Sequence, residues 1–184
     1  MRGGVTAQGR VTAWHDHYVT VGHRGQANAA LSGDEFPGRW VENCRLEQSM
    51  IECAVPTGAW RAPAANVQAW VVQSFIAELA AAAGRDPLEF RLALLGDKRE
   101  MRPAGLFARG EGYQVARMRR VLQTVAEKAQ WGRPMPARQA QGIAFHASYG
   151  GYVAQVAEVS VSDEGRLSVD KVVSPSVRAA ASRL

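Results

Sequence analysis

The stretch with the most chemical promise is the loop Pro56-Thr57-Gly58-Ala59-Trp60-Arg61-Ala62-Pro63, which passes into helical sequence with no polar linker between the two. Arg61 stands between a Trp and an Ala-Pro pair at the mouth of that helix. Its guanidinium would project from a rigid turn beside backbone N–H groups that favour negative charge. That suits an anion or carbonyl clamp. The same spacing is met by Trp60 as a core plug with Arg61 paired to a surface carboxylate, so on spacing alone both readings stay open.

The other chemically capable residues converge less well. His15, Asp16 and His17 are consecutive, but on a strand His15 and His17 share one face while Asp16 points to the other, so the three cannot gather around a metal. They read as cross-strand polar residues. Cys44 and Cys53 are too few and too far apart for a zinc or iron–sulfur signature and form no CxxC motif, which leaves a reduced, buried pair as the expectation. Met118 reads as core filler.

The elements that must position the loop follow from periodicity. Beyond it, Val67, Trp70, Val71, Ser74, Phe75, Glu78, Leu79 and Ala82 recur at helical spacing, predicting an amphipathic helix with that face inward and Gly84 as its stop. Asp86-Pro87-Leu88-Glu89 restarts a helix, with Asp as N-cap, Pro at the first helical position and Glu closing a capping box; Gly96 stops it. A third helix is predicted from Gln114 to about Trp131, with Val115, Met118, Leu122, Val125, Ala126 and Ala129 as its apolar stripe and Gly132 and Pro134 as its end.

The rest reads as strand and loop. From Gly9 to Gly22 the residues alternate with period two, a strand, and Ala7-Gln8-Gly9-Arg10 reads as the hairpin turn before it, with no strand legible to enter that turn. Residues 24–36 read as loop, followed by two short extended segments, Trp40–Leu46 and Met50–Val55, that deliver the Pro56 loop. A loop between a strand end and a helix N-terminus is a common ligand position in mixed layers. Residues 97–112 are a charged, Gly- and Pro-punctuated connector. Strands are predicted at Gly142–Phe145, Tyr152–Val161 and Arg166–Val173, the last two joined through Ser162-Asp163-Glu164-Gly165, and residues 174–184 read as a tail.

Composition sets limits. The 184 residues suffice for one core with room for two lobes, and 47% hydrophobic with 21% charged residues is ordinary for a globular protein. No apolar run reaches membrane-span length, and Met1-Arg2-Gly3-Gly4 has no apolar region behind it of the signal-peptide kind. A net charge of +5 raises nucleic acid as a partner, but Arg117, Arg119 and Arg120 lie on the solvated side of one helix without interleaved aromatics, so no nucleic-acid partner is expected.

Two blocks carry a family resemblance. Thr57-Gly58-Ala59-Trp60-Arg61-Ala62-Pro63, continuing through Gln73-Ser74-Phe75-Ile76-Ala77-Glu78-Leu79-Ala80 to Gly84-Arg85-Asp86-Pro87-Leu88-Glu89-Phe90-Arg91, resembles the molybdenum-binding large subunit of the xanthine oxidase and aldehyde oxidase family. It is most similar to the branch of the isoquinoline 1-oxidoreductase beta subunit and related aldehyde dehydrogenases. The second block, from Gly142-Ile143-Ala144-Phe145-His146 to Glu158-Val159, resembles the same family in the expected order. The resemblance implies hydroxylation of aldehydes or N-heterocycles with water as oxygen source, a molybdopterin cytosine dinucleotide in the parent subunit, and an iron–sulfur subunit as electron partner. It implies that Arg61 orients substrate and stabilises developing negative charge, that Trp60 walls the substrate pocket, and that Arg91 approaches the pterin end of the cofactor, a place that a salt bridge would also explain. His146 and Ser148 receive no catalytic role.

This chain departs from the family pattern in lacking a Gly-Gly-x-Gly-Gly cofactor loop, a Gln-rich cofactor motif and a Gly-x-Gly-Glu base. The expectation is therefore an internal fragment of a molybdopterin-binding domain, α+β, with an antiparallel or mixed sheet and about three helices. Its parts are strands and loops over 1–55, loop and two helices over 56–95, connector and third helix over 96–132, strands over 133–173 and the tail. Alone it is expected to bind no cofactor and to be inactive, its partners being the remainder of the molybdenum subunit, the iron–sulfur subunit or a second copy. The alternative is a non-catalytic binding or assembly module with the same fold. Localisation stays open between bacterial cytoplasm and periplasm.

Overall fold

The alternation after the first turn does make a strand. In the computed structural model, which describes residues 1–23, 26–27, 32–55, 61–62, 65–97, 100–101, 112–148 and 150–177, β2 spans Val11–His23. The turn ahead of it is closed by Thr6 N–H to Arg10 O at 2.9 Å and Gly9 N–H to Thr6 O at 2.8 Å, with Gly9 at φ 78°. A strand does enter this turn, contrary to expectation: β1 (Arg2–Val5) pairs antiparallel with β2, Arg2 opposite His15. Its two glycines hide it, because glycine depresses every strand signal. Packing bears on one of them: a Cβ on Gly3 would stand 3.0 Å from the Leu79 Cδ atoms of helix α1 (Ala65–Ala82), which would have to give by a few tenths of an ångström, so glycine eases the approach of helix and strand.

Beside β2 lie β3 (Gln26–Ala27), antiparallel, and β4 (Asn43–Glu52), parallel in unbroken register from Ala13↔Asn43 to Gly22↔Glu52. The two segments expected at 40–46 and 50–55 are thus one strand, and Trp40 instead ends a 3-10 turn over Gly38–Trp40. The polar run Glu47-Gln48-Ser49 looks like an interruption in sequence, yet the backbone ladder to β2 carries it through.

Helix α1 ends as its residues dictate. Gly84 at φ 60° lets Arg85 N–H reach Ala80 O at 2.9 Å and Gly84 N–H reach Ala81 O at 3.0 Å, the paired bonds of a left-handed cap. Its buried face is not the expected one. Val67 and Trp70 are exposed, Trp70 at 73%, and the inward residues are Ala65, Gln68, Val72, Gln73, Ile76, Leu79 and Ala80. Alanine surrounds this helix on all sides, so side-chain polarity says little about orientation; Phe75 meeting Trp14 edge-on at 5.1 Å is what sets it. These elements belong to a first compact unit, Met1–Asp86.

The second unit, Pro87–Leu184, holds α2 (Pro87–Leu95), the short antiparallel pair β5 (Glu100–Met101) and β6 (Tyr113–Gln114), and α3 (Val115–Ala129). Gly96 at φ 63° closes α2 as expected. The predicted stripe of α3, Val115, Met118, Leu122, Val125, Ala126 and Ala129, is buried, and Val121, which it did not include, is buried with it. Its end comes slightly earlier than expected, at Gln130 in the left-handed region, φ 50°.

Against α3 packs an antiparallel sheet of β7 (Gln139–Ser148), β8 (Gly151–Val161), β9 (Leu167–Val173) and β10 (Ser176–Val177). The β8–β9 hairpin turns at Gly165, φ 77°, with Ser162 N–H to Arg166 O at 2.9 Å. The start of the expected tail is strand rather than coil, since Ser176 and Val177 pair with Val153 and Tyr152. Among the described residues the chain is α+β, with three α-helices and mixed and antiparallel sheets. Among the described residues no single helix is long and apolar enough to cross a membrane.

Candidate functional site

Arg61 is exposed and lies four residues ahead of the first residue of α1. Ala62 beside it takes φ 58°, a left-handed conformation in a residue with a Cβ, and its carbonyl accepts from Asn66 N–H at 3.3 Å. The backbone thus turns sharply at Arg61 and leaves the guanidinium with no hydrogen bond or ion pair among the described residues. No acidic residue occupies the first turn of α1 to absorb it. A free cation at a helix N-terminus is poised for an anionic or electron-rich ligand. Trp60, expected as a pocket wall, lies outside the described residues.

Arg91 sits differently. It belongs to the second unit, has no solvent exposure, and donates from Nη1 to Pro87 O at 2.9 Å, one turn back on its own helix. Its guanidinium fastens the start of α2. Nearby in the same unit Arg119 Nη1 donates to Leu92 O at 2.7 Å and Gly96 O at 3.1 Å, capping the other end.

The consecutive His15-Asp16-His17 separate by face as their alternation requires. His15 Nε2 lies 2.5 Å from Glu47 Oε2, across the parallel ladder, and Arg45 Nη2 donates to Glu47 Oε1 at 2.7 Å. These bonds, His15 first and Arg45 second, hold the Glu47 carboxyl below the usual range. His17 Nε2 is 2.8 Å from Ser49 Oγ. The expected cross-strand polar pairs are therefore present, and among the described residues no three His, Cys, Asp or Glu side chains gather as a metal site.

Cys44 and Cys53 are free thiols, but the pair is not buried: Cys44 is exposed and Cys53 half-buried. Both belong to an edge strand or its continuation, so a short sulfur-bearing side chain there meets solvent rather than a core. Cys44 borders an open groove of about 640 Å³ whose walls include Arg2, Trp14, His15, Asn43 and Arg45.

Two polar clusters were not singled out from the sequence. In the second unit Glu158 Oε2 receives Arg133 Nη2 at 2.9 Å, and its Oε1 receives Gln141 Nε2 at 3.3 Å. Gln141 also donates to Ala129 O at 2.9 Å and accepts from Gly132 N–H at 3.2 Å, tying the exit of α3 to β7 and β8. Arg133 chiefly, with Gln141, holds the Glu158 carboxyl below its usual range against the opposing effect of burial. In the first unit Asp16, 6% exposed, and Gln68, 6% exposed, turn into the interior beside Glu35. Burial pushes both the Asp16 and Glu35 carboxyls up. The only sequence signal for either cluster is a charged or amide residue at an inward-facing position, which no spacing rule distinguishes from an outward one.

No protein-family model matches the chain, and no curated protein does. Among solved structures it is similar to an aldehyde oxidoreductase from Desulfovibrio gigas, activated with sodium dithionite and sodium sulfide. The two are 15% identical with a TM-score of 0.46, over 91% of this chain and 20% of that one. The chain thus spans about a fifth of the length of that solved chain, and agreement at this level does not establish a shared family.

Proposed function

We propose that this chain is a piece of a molybdenum hydroxylase large subunit, contributing Arg61 to the wall of a substrate pocket that other parts of the subunit complete. The observation that carries the reading is the exposed guanidinium of Arg61, without a hydrogen bond or ion pair among the described residues, on a sharp turn ahead of α1. It falls within the sequence block that resembles that family, and a second resembling block follows in order along β7 and β8. A fixed guanidinium there stabilises negative charge that develops on a bound aldehyde or N-heterocycle, in a position where an ammonium could not reproduce the planar fork. Trp60, its neighbour in sequence, is the aromatic wall of the same pocket in this proposal.

The described residues do not suit the pterin dinucleotide itself. Arg91, the residue expected near its pterin end, is fully buried and donates from Nη1 to Pro87 O, and Arg61 alone is not a cradle. In the proposal Arg91 serves as a prop for α2, and the cofactor, its dinucleotide form, the remainder of the subunit and the iron–sulfur subunit belong to the complete enzyme. No step of chemistry is assigned to this chain alone.

The test is a titration of the purified chain with isoquinoline and with benzaldehyde, followed by amide chemical shifts, beside molybdenum and pterin analysis. Shifts confined to the start of α1 and lost in Arg61→Ala are expected, with no stoichiometric metal. Equal shifts in Arg61→Ala would remove Arg61 from the reading, and stoichiometric molybdenum would move the cofactor onto this chain.

A second reading, a non-catalytic assembly module, is favoured by the uncovered sheet faces. Val19, Val21 and Ile51 share one face of the first sheet at 40–57% exposure, and Leu167, Val169 and Val172 are 52–66% exposed on the second. Apolar side chains grouped on open sheets are docking surfaces in many proteins. Light scattering on the chain distinguishes the readings: a concentration-dependent homodimer supports assembly, and a monomer at high concentration counts against it.

A further inference from the structure

Three strands of the first sheet set a row of cationic side chains on one face. Arg2 of β1 stands opposite His15 of β2, and His15 stands beside Arg45 of β4. Residues in register share a face, so two guanidiniums and an imidazole line up across the sheet. Two positions along each strand, the same face carries Gly4, Ala13 and Asn43, a row with little side chain to stand up. The row between them, Gly3, Trp14 and Cys44, points the other way, where a Cβ on Gly3 would meet Leu79 and Phe75 of α1. These three rows enclose the open groove of about 640 Å³ beside Cys44. One wall is the cationic row and the bed is backbone. A Cβ on Gly4 would stand 3.3 Å from the Ala13 Cβ, so its absence keeps that bed low.

The charges around the groove are unequally matched. At the rim Arg10 Nη1 lies 3.4 Å from Glu42 Oε2. Behind the wall Glu47 takes His15 Nε2 at 2.5 Å and Arg45 Nη2 at 2.7 Å, which fixes the imidazole and the Arg45 fork in place. Arg2 is exposed and has no hydrogen bond or ion pair among the described residues.

We infer that the groove binds a flat organic monocarboxylate, with its carboxylate on Arg2 beside the Glu47-held Arg45 and His15, and its apolar body on the Gly4–Ala13 bed. A guanidinium offers a carboxylate two parallel N–H donors in a matching plane. With Arg10 facing Glu42 and Arg45 facing Glu47, the uncompensated charge at Arg2 suits a single negative charge better than a phosphate dianion. A bed without projecting side chains seats a ring and offers no pocket to a long flexible chain. The site is made by β1, β2 and β4 and is independent of any role for Arg61.

The experiment titrates the full chain with naphthoate at physiological salt, followed by amide chemical shifts, with acetate and inorganic phosphate as comparisons. Saturable shifts at Gly3, Gly4, Ala13 and Asn43 are expected with naphthoate, and weaker binding with acetate. Arg2→Gln should weaken naphthoate by about fivefold, the size of one exposed ion pair. Gly4→Ala keeps every charge and raises the bed, so it should weaken naphthoate while leaving acetate unchanged. Both positions are exposed, and melting temperatures check that each variant is folded. The inference is overturned if the naphthoate shifts do not saturate, if Arg2→Gln binds naphthoate as the wild type does, or if phosphate binds more tightly than naphthoate.

Discussion

The two units hold their buried carboxyls in opposite settings. In the second, α3 lays Val115, Met118, Val121, Leu122 and Val125 against Ile143, Phe145, Ala154 and Val156, and the buried charges have partners, while the buried Nε2 of His146 has none among the described residues. Glu158 has Arg133 and Gln141, Arg91 has Pro87 O, and the Tyr152 hydroxyl accepts from Gln114 N–H at 2.9 Å while Arg117 lies 4.5 Å above its ring. In the first unit the helix–sheet seam contains Asp16 and Gln68, and burial pushes the Asp16 carboxyl up. A paired carboxylate stabilises the fold when ionised, whereas a carboxyl pushed up by burial costs stability once it ionises.

The largest effect expected from that contrast is a core truncation in the scaffold. Leu122→Ala, at a site with no exposure, should cost about 2–5 kcal/mol, because transfer and cavity terms add where the surroundings cannot collapse. Val72→Ala in the first unit, at the edge of an existing cavity, should cost distinctly less. Urea unfolding of both variants measures the difference, and equal losses would remove the distinction between the two interiors.

Next in size is Gly3→Ala. Its Cβ would meet both Leu79 Cδ atoms at 3.0 Å and Phe75 at 3.2 Å, so these side-chain ends must give by a few tenths of an ångström, at about 1 kcal/mol. A variant as stable as the wild type by thermal denaturation would mean that Leu79 and Phe75 yield without loss.

The two buried carboxyls should then answer pH with opposite signs. Asp16 binds its proton more tightly folded than unfolded, so in EDTA its unit is most stable below the ordinary carboxylate range and loses stability as pH rises through the raised value. Asp16→Asn should abolish that loss and melt higher at neutral pH. Glu158 binds its proton less tightly folded, so its contribution is present above the ordinary glutamate range and disappears as pH falls through the lowered value. Glu158→Gln should flatten the acid limb and destabilise at neutral pH. Melting curves across pH 3 to 8 in EDTA, at roughly unit steps, read both; slopes of the same sign would contradict the assignment of partners.

The smallest effect on folding belongs to the open face of the second sheet. Leu167→Thr, at a site 66% exposed, should change stability by no more than about 0.5 kcal/mol. The same substitution should weaken self-association if that face is where copies meet, which sedimentation equilibrium would detect.

Which of these features could be read without coordinates follows from their physical range. The stripe of α3, the stops at Gly84 and Gly96, the β8–β9 hairpin at Gly165 and the alternation of β2 depend on neighbours within a few residues, and all appear where their residues place them. Arg61 was legible as a cation at a helix mouth because a Gly/Pro-punctuated loop before a helical period is also local information. The orientation of α1 was not, since an alanine-rich helix carries almost no directional signal and Trp70 went outward. β1 was hidden by its glycines, and the union of 43–52 into one strand required β2 as a template. Nor do residue types reveal that Asp16, Glu35 and Gln68 share one cavity, for they come from a strand, a turn and a helix. The chain by itself therefore determined its three helices, most of its turns and the place of a cation ahead of the first helix. Tertiary structure alone decided which faces turn inward and which polar groups meet there, because burial is a property of what packs across the chain and not of what lies along it.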